Sequence, residues 1–128
     1  MDTASTEVLA SSFAQAFRDA RVRTTAGLRC VRRQWTRAWR DVPAGLLLQA
    51  AELLLKDGMP RWIVYELLHH HRPAMAPLTA ASLRRLAVGL SSWAEVDPYA
   101  LYLLGPAWRE GRITDAELLR WTRSKDRF

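Results

Sequence analysis

The sequence predicts an all-α fold of stacked helical pairs, an α-solenoid. Three observations carry that expectation. Leu and Ala dominate a chain of 128 residues that is 49% hydrophobic, and β-branched residues are few, which favours helix over sheet. Apolar residues recur three and four apart in segment after segment, the period of a helix with one buried face. Pro, Gly and capping residues punctuate these segments, so the links are short. The length suits one domain covering 1–128.

The first helix is expected from about Ser5 to Ala20, with Val8, Leu9, Phe13 and Phe17 on its inner side. The second spans about Thr25 to Trp39. Its apolar stripe is Leu28, Val31, Trp35 and Trp39, and Arg29, Arg33, Arg37 and Arg40 take its other faces. Pro43 opens a third helix to Lys56, since Pro fits the first turn. Leu46, Leu47, Leu48, Leu53, Leu54 and Leu55 make it apolar on most sides, the pattern of a helix buried between neighbours. Asp57-Gly58 ends it in a left-handed turn.

Pro60 opens a fourth helix to about His71, with Trp62, Ile63, Leu67 and Leu68 inward, and Arg72-Pro73 stops it. After a Pro-interrupted link, Thr79 caps a fifth helix through Leu90, striped by Leu83, Leu86 and Leu90. Ser92 and Glu95 form a capping box for the next. Pro98 then leaves two alternatives: a kink, or a new helix capped by Asp97 and running to Leu104. Thr114 and Glu117 form a second capping box, opening a last helix through about Arg123 with Leu118, Leu119 and Trp121. These six to seven short helices, paired at intervals of about 35 to 45 residues, have the grain of HEAT-like antiparallel helical repeats.

The net charge of +6 comes from 17 Arg and only 2 Lys against 13 acidic residues. Arg carries a planar fork of donors that matches phosphate. Seven of them lie between Arg21 and Arg40, which points to nucleic acid or another polyanion, against the plainer reading of a solvated helix face. Arg29, Arg32, Arg33 and Arg37 are the candidate phosphate contacts. No apolar run approaches the roughly 18 residues of a membrane span. The acidic, polar start and the single cysteine, Cys30, fit a cytoplasmic protein without internal disulfides. Cys30 is expected to be a small core residue. Consecutive residues on a helix point apart, so His69, His70 and His71 make no joint metal site; they suit the C-terminal end of a helix dipole instead. No phosphate-binding Gly-rich loop or nucleophile elbow occurs, and no metal or cofactor is expected.

The candidate reaction centre is Trp93 with Asp97. Four residues apart on a helix, they share one face, and a carboxylate beside an aromatic ring suits a developing positive charge. Read from the residues alone, Asp97 is either an N-cap or a functional carboxylate, and Trp93 either core or site. Trp35, Trp39, Trp62 and Trp121 belong to apolar stripes and read as core; Trp108, after the Gly-Pro step, fits either role.

Four stretches together resemble a known family. They are Arg29-Cys30-Val31-Arg32-Arg33-Gln34-Trp35, Ser92-Trp93-Ala94-Glu95-Val96-Asp97, Leu104-Gly105-Pro106-Ala107-Trp108-Arg109-Glu110-Gly111-Arg112 and Trp121-Thr122-Arg123-Ser124-Lys125-Asp126. Their order and spacing resemble the DNA alkylation repair family, the HEAT-like alkylpurine DNA glycosylases of the AlkD type, from about Thr24 to Phe128. The resemblance implies a basic solenoid that holds duplex DNA and excises purines alkylated at N3 or N7, as a monofunctional glycosylase without a metal. It assigns Trp93 to packing on the lesion nucleotide and Asp97 to stabilising the sugar cation and positioning water. Family members continue through further repeats, so the chain is expected to be an N-terminal portion, a solenoid incomplete at its C-terminal end. Self-association through that uncapped end is the accompanying expectation. The alternative from another class is a catalytically inactive helical scaffold that binds a protein partner.

Overall fold

A computed structural model of the chain describes residues 3–90, 92–117 and 119. The described part is helical throughout and holds no strand: α1 Thr3–Arg18, α2 Thr25–Ala38, α3 Ala44–Lys56, α4 Arg61–His69, α5 Arg72–Met75, α6 Ala80–Ala87, α7 Trp93–Tyr99, a π turn Ala100–Leu104, and α8 Gly105–Arg109. No described helix is long and apolar enough to cross a membrane.

The helices form two layers. Within a pair, α1 packs on α2 and α3 on α4; between pairs, α1 packs on α3 and α3 on α6, while α2 packs on α4 and α4 on α7. Sequence-adjacent helices therefore alternate between layers, which is how helical repeats stack. Leu47, Ala50, Ala51 and Leu54 of α3 and the unbroken run Ile63–Leu68 of α4 form the centre of the core. Phe13 reaches in from α1, where its ring meets Trp35 and Trp39 at 6.3 and 6.0 Å.

Local chemistry sets the element ends. Thr24 caps α2 and Thr79 caps α6, their hydroxyls accepting from the Gly27 and Ser82 amides at 3.1 and 3.2 Å. Beyond α3, Gly58 takes φ +88°, so the Met59 amide reaches the Leu54 carbonyl and the Gly58 amide reaches Leu55. The Thr114 box is reciprocal: the hydroxyl takes the Glu117 amide at 3.1 Å, and the Glu117 carboxylate takes the Thr114 amide at 3.0 Å. Ser92 caps α7 by position, without a side-chain bond.

Five expectations are corrected. α4 ends at His69, and Arg72-Pro73, read as a stop, opens the short α5 instead. His71 caps that turn: its Nδ1 accepts from the Ala74 amide at 3.1 Å, and its Nε2 donates to the Trp39 carbonyl at 3.1 Å. Helix α6 ends at Ala87 rather than Leu90. Val8, read as inward, is 63% exposed, because α1 meets its neighbours through Phe13, Phe17 and Ala10. Cys30 is exposed rather than core, since it lies off the Leu28 side of α2.

The fifth correction concerns residues 93–109. Pro98 neither starts a new helix nor ends one, and Asp97 is no cap; it lies inside α7. The chain passes into a π turn, where the Gly105 amide bonds back to the Ala100 carbonyl. A Cβ on residue 105 would stand 2.9 Å from that oxygen, so the close approach needs Gly. Pro106 has no amide to offer the Tyr102 carbonyl. His69 Nδ1 donates to that carbonyl instead, at 2.9 Å.

Candidate functional site

Three helices of one layer enclose an open groove that contains Asp97. Helix α2 contributes Thr25 and Arg29, and α4 contributes Trp62 and Glu66. Asp97 and Pro98 come from α7, and the π turn adds Leu101 and Tyr102. Asp97 is exposed there, free to meet a ligand.

Trp93 shares α7 with Asp97 as its spacing requires, but its side chain lies outside the described part of the structure. The indole described in the Asp97 groove is Trp62. Its place on the apolar stripe of α4 predicts core; it is half-buried, packed against the core on one side and lining the groove on the other. Trp35 is likewise half-buried, Trp39 is buried, and Trp121 lies outside the described residues. Trp108 is exposed, and its Nε1 donates to Asp115 at 2.8 Å.

Glu66 organises the arginines. Its side chain is 3% exposed and faces two guanidinium groups. Arg29 Nε donates to one carboxylate oxygen at 2.8 Å, and Arg32 Nε stands 3.5 Å from the other. The Glu66 hydrogen bond and charge raise the pKa of Arg29 above its ordinary value. Burial is the largest influence on Arg32 and lowers its pKa, against the pull of Glu66. Two cations on one anion leave this cluster with a positive excess.

The four candidate phosphate contacts therefore separate. Arg32 is buried and also bonds the Thr36 hydroxyl at 3.0 Å, so it faces the interior and not a surface ligand. Arg29 is 40% exposed at the rim of the groove, its guanidinium carbon 5.5 Å from the centre of the Trp62 ring. Arg33 and Arg37 are exposed one helical turn apart, as is Arg40 beyond them. The side chains of these three make no ion pair or hydrogen bond among the described residues. Arg29, Arg33 and Arg37 thus form one cationic stripe on α2 that begins at the Asp97 groove, and Arg40 adds an exposed cation past the helix end.

The histidines separate as well. His69 and His71 are committed to backbone groups of neighbouring elements. Among the described residues no three His, Cys, Asp or Glu side chains converge as a metal site would require. Lys56 lies at the end of α3, away from the groove lining.

Sequence reasoning missed Trp62, Glu66 and Tyr102. Two signals pointed to the first pair. Glu66 is the single acid in an apolar run, opposite a helix with Arg at both i and i+3. Trp62 and Glu66 also repeat the four-residue spacing of Trp93 and Asp97 on the preceding helix of the same layer. Nothing local marks Tyr102, which the π turn delivers.

No protein family, curated protein or solved structure matches the chain.

Proposed function

We propose that the chain is a DNA-binding helical-repeat module of the alkylation-repair type. The arginine stripe of α2 holds the phosphate backbone, and Asp97 faces the sugar whose glycosidic bond is hydrolysed. One observation carries the reading: an exposed carboxylate shares its groove with an indole and opens beside a row of exposed arginines.

The chemistry suits so small a site. A purine alkylated at N3 or N7 is already cationic and leaves without being protonated. What remains is to stabilise positive charge on the deoxyribose and to hold the attacking water, which one carboxylate beside an aromatic face does. A covalent sugar adduct would need an amine nucleophile. None of the residues lining the groove is a lysine. The partner is duplex DNA bearing alkylated purines, in the cytoplasm.

A duplex-binding titration over a range of salt tests the binding half. Affinity falls with salt, with a slope of about 0.9 per phosphate neutralised. Replacing Arg33 and Arg37 together by Ala lowers that slope; an unchanged slope and affinity would refute the reading. A second reading, a catalytically silent scaffold for a protein partner, draws on Leu101, which is 63% exposed on the groove. It predicts salt-insensitive partner binding and a silent Asp97→Asn.

A further inference from the structure

The geometry points to Arg29 as a pre-set phosphate clamp, with Trp62 and Glu66 as its positioning residues, gripping the phosphodiester beside the sugar that Asp97 faces. This rests on the nucleic-acid reading above and adds which arginine acts at the groove and what holds it in place.

Three features of the site support it. Arg29 is anchored through Nε, which Glu66 takes at 2.8 Å, and Tyr102 is a second side-chain partner; a guanidinium has five N–H donors, so the remaining Nη donors can serve a ligand. Phosphate recognition by Arg uses such a planar pair of donors. The plane of the group is restrained from a second direction, since the guanidinium lies over the Trp62 ring at 5.5 Å. The restraints themselves are rigid. Trp62 and Glu66 stand one turn apart on α4, and Glu66 is buried and tied to Arg32 as well.

Energetics favour this arrangement over a free surface arginine. An unrestrained Arg loses rotamer freedom when it binds. Arg29 has given up that freedom in the folded protein, so a phosphate meets an ordered fork. Its charge is not cancelled, because Glu66 is shared between two arginines. Among the described residues Arg33 and Arg37 have no such restraint, and they supply charge without a fixed pose. Arg29 and Asp97 line the same groove, and the phosphate and sugar of one nucleotide, which adjoin, meet one each.

The test is equilibrium binding of a fluorescein-labelled DNA duplex to the chain over a salt series, with circular dichroism melts to check folding. Arg29→Ala weakens binding roughly tenfold and lowers the salt slope by about one. Arg29→Lys keeps the charge and much of the slope but not the affinity. Trp62→Leu weakens binding several-fold, and Trp62→Phe, which keeps a ring face, restores most of it. In an Arg29→Ala background Trp62→Leu has no further effect. Glu66→Gln follows Trp62→Leu if it folds, and the two Trp62 variants decide the matter if it does not. Additive losses from Arg29→Ala and Trp62→Leu overturn the positioning role. An Arg29→Ala variant with unchanged slope and affinity, where Arg33→Ala and Arg37→Ala each weaken binding, overturns the clamp while leaving the nucleic-acid reading intact. Absence of duplex binding by the wild-type chain overturns both.

Discussion

His71 ties two ends of the fold together through one ring: its Nε2 lies 3.1 Å from the carbonyl of Trp39, just past α2, and its Nδ1 lies 3.1 Å from the amide of Ala74 in α5. Because Nδ1 accepts a backbone proton, Nε2 carries the ring hydrogen, and the neutral tautomer is fixed. His71→Ala removes an N-cap and one of the two donors to the Trp39 carbonyl, which keeps the Val42 amide at 2.9 Å. The expected loss is about 2 kcal/mol, read from urea unfolding. His71→Asn keeps the capping acceptor and recovers about half of that. An Ala variant as stable as wild type would show that neither bond matters to the fold.

Gly105→Ala separates two physical effects by sign. Its backbone is helical, with φ −60°, so propensity alone favours Ala by about 1 kcal/mol. The new Cβ, however, would meet the Ala100 carbonyl at 2.9 Å, the oxygen that accepts the Gly105 amide itself. Backbone cannot yield there as a flexible side chain would. The substitution is expected to destabilise by about 1 to 3 kcal/mol. A stabilised variant would mean that residues 100–104 do not form the π turn.

Two buried tyrosines predict how the fold fails in alkali. The Tyr65 and Tyr99 hydroxyls donate to the Leu86 and Leu83 carbonyls at 2.7 and 2.8 Å, holding α6 against α4 and α7. Burial is the main influence on both and raises their pKa above the ordinary phenol value. Between about pH 10 and those raised values the unfolded chain has lost protons that the folded one keeps, so stability falls as pH rises. Their contribution is complete below about pH 10 and is lost above it. Tyrosinate absorbance from this pair should appear only together with loss of helical circular dichroism. Tyr99→Phe should flatten the alkaline limb of the stability curve. Tyrosinate forming in a fully helical protein would contradict the burial of the pair.

What could be read from the sequence, and what could not, follows from the range of the forces involved. The helices and their capped ends at Thr79, Pro43, Gly58 and Thr114 were legible, because capping and amphipathic period are local. Arg32 was misplaced because a single long-range partner, Glu66 on another helix, makes its burial tolerable. Trp62 packs against the core as its stripe implies, but an apolar stripe does not say that its other edge lines a groove. The π turn was illegible because Gly105-Pro106 reads as a break, and only the distant His69 supplies the donor that Pro106 lacks. Asp97 was legible as a candidate; its groove was not, since α2 and α4 provide half of it.

Release of N7-methylguanine from a methylated duplex, by wild-type protein and by Asp97→Asn at saturating protein, tests the role of Asp97 most directly. Abasic sites should form with the wild type, and the Asn variant should slow their formation by on the order of a hundred-fold or more while binding the duplex equally well. Equal rates from the two proteins, or duplex binding without any base release, would contradict it.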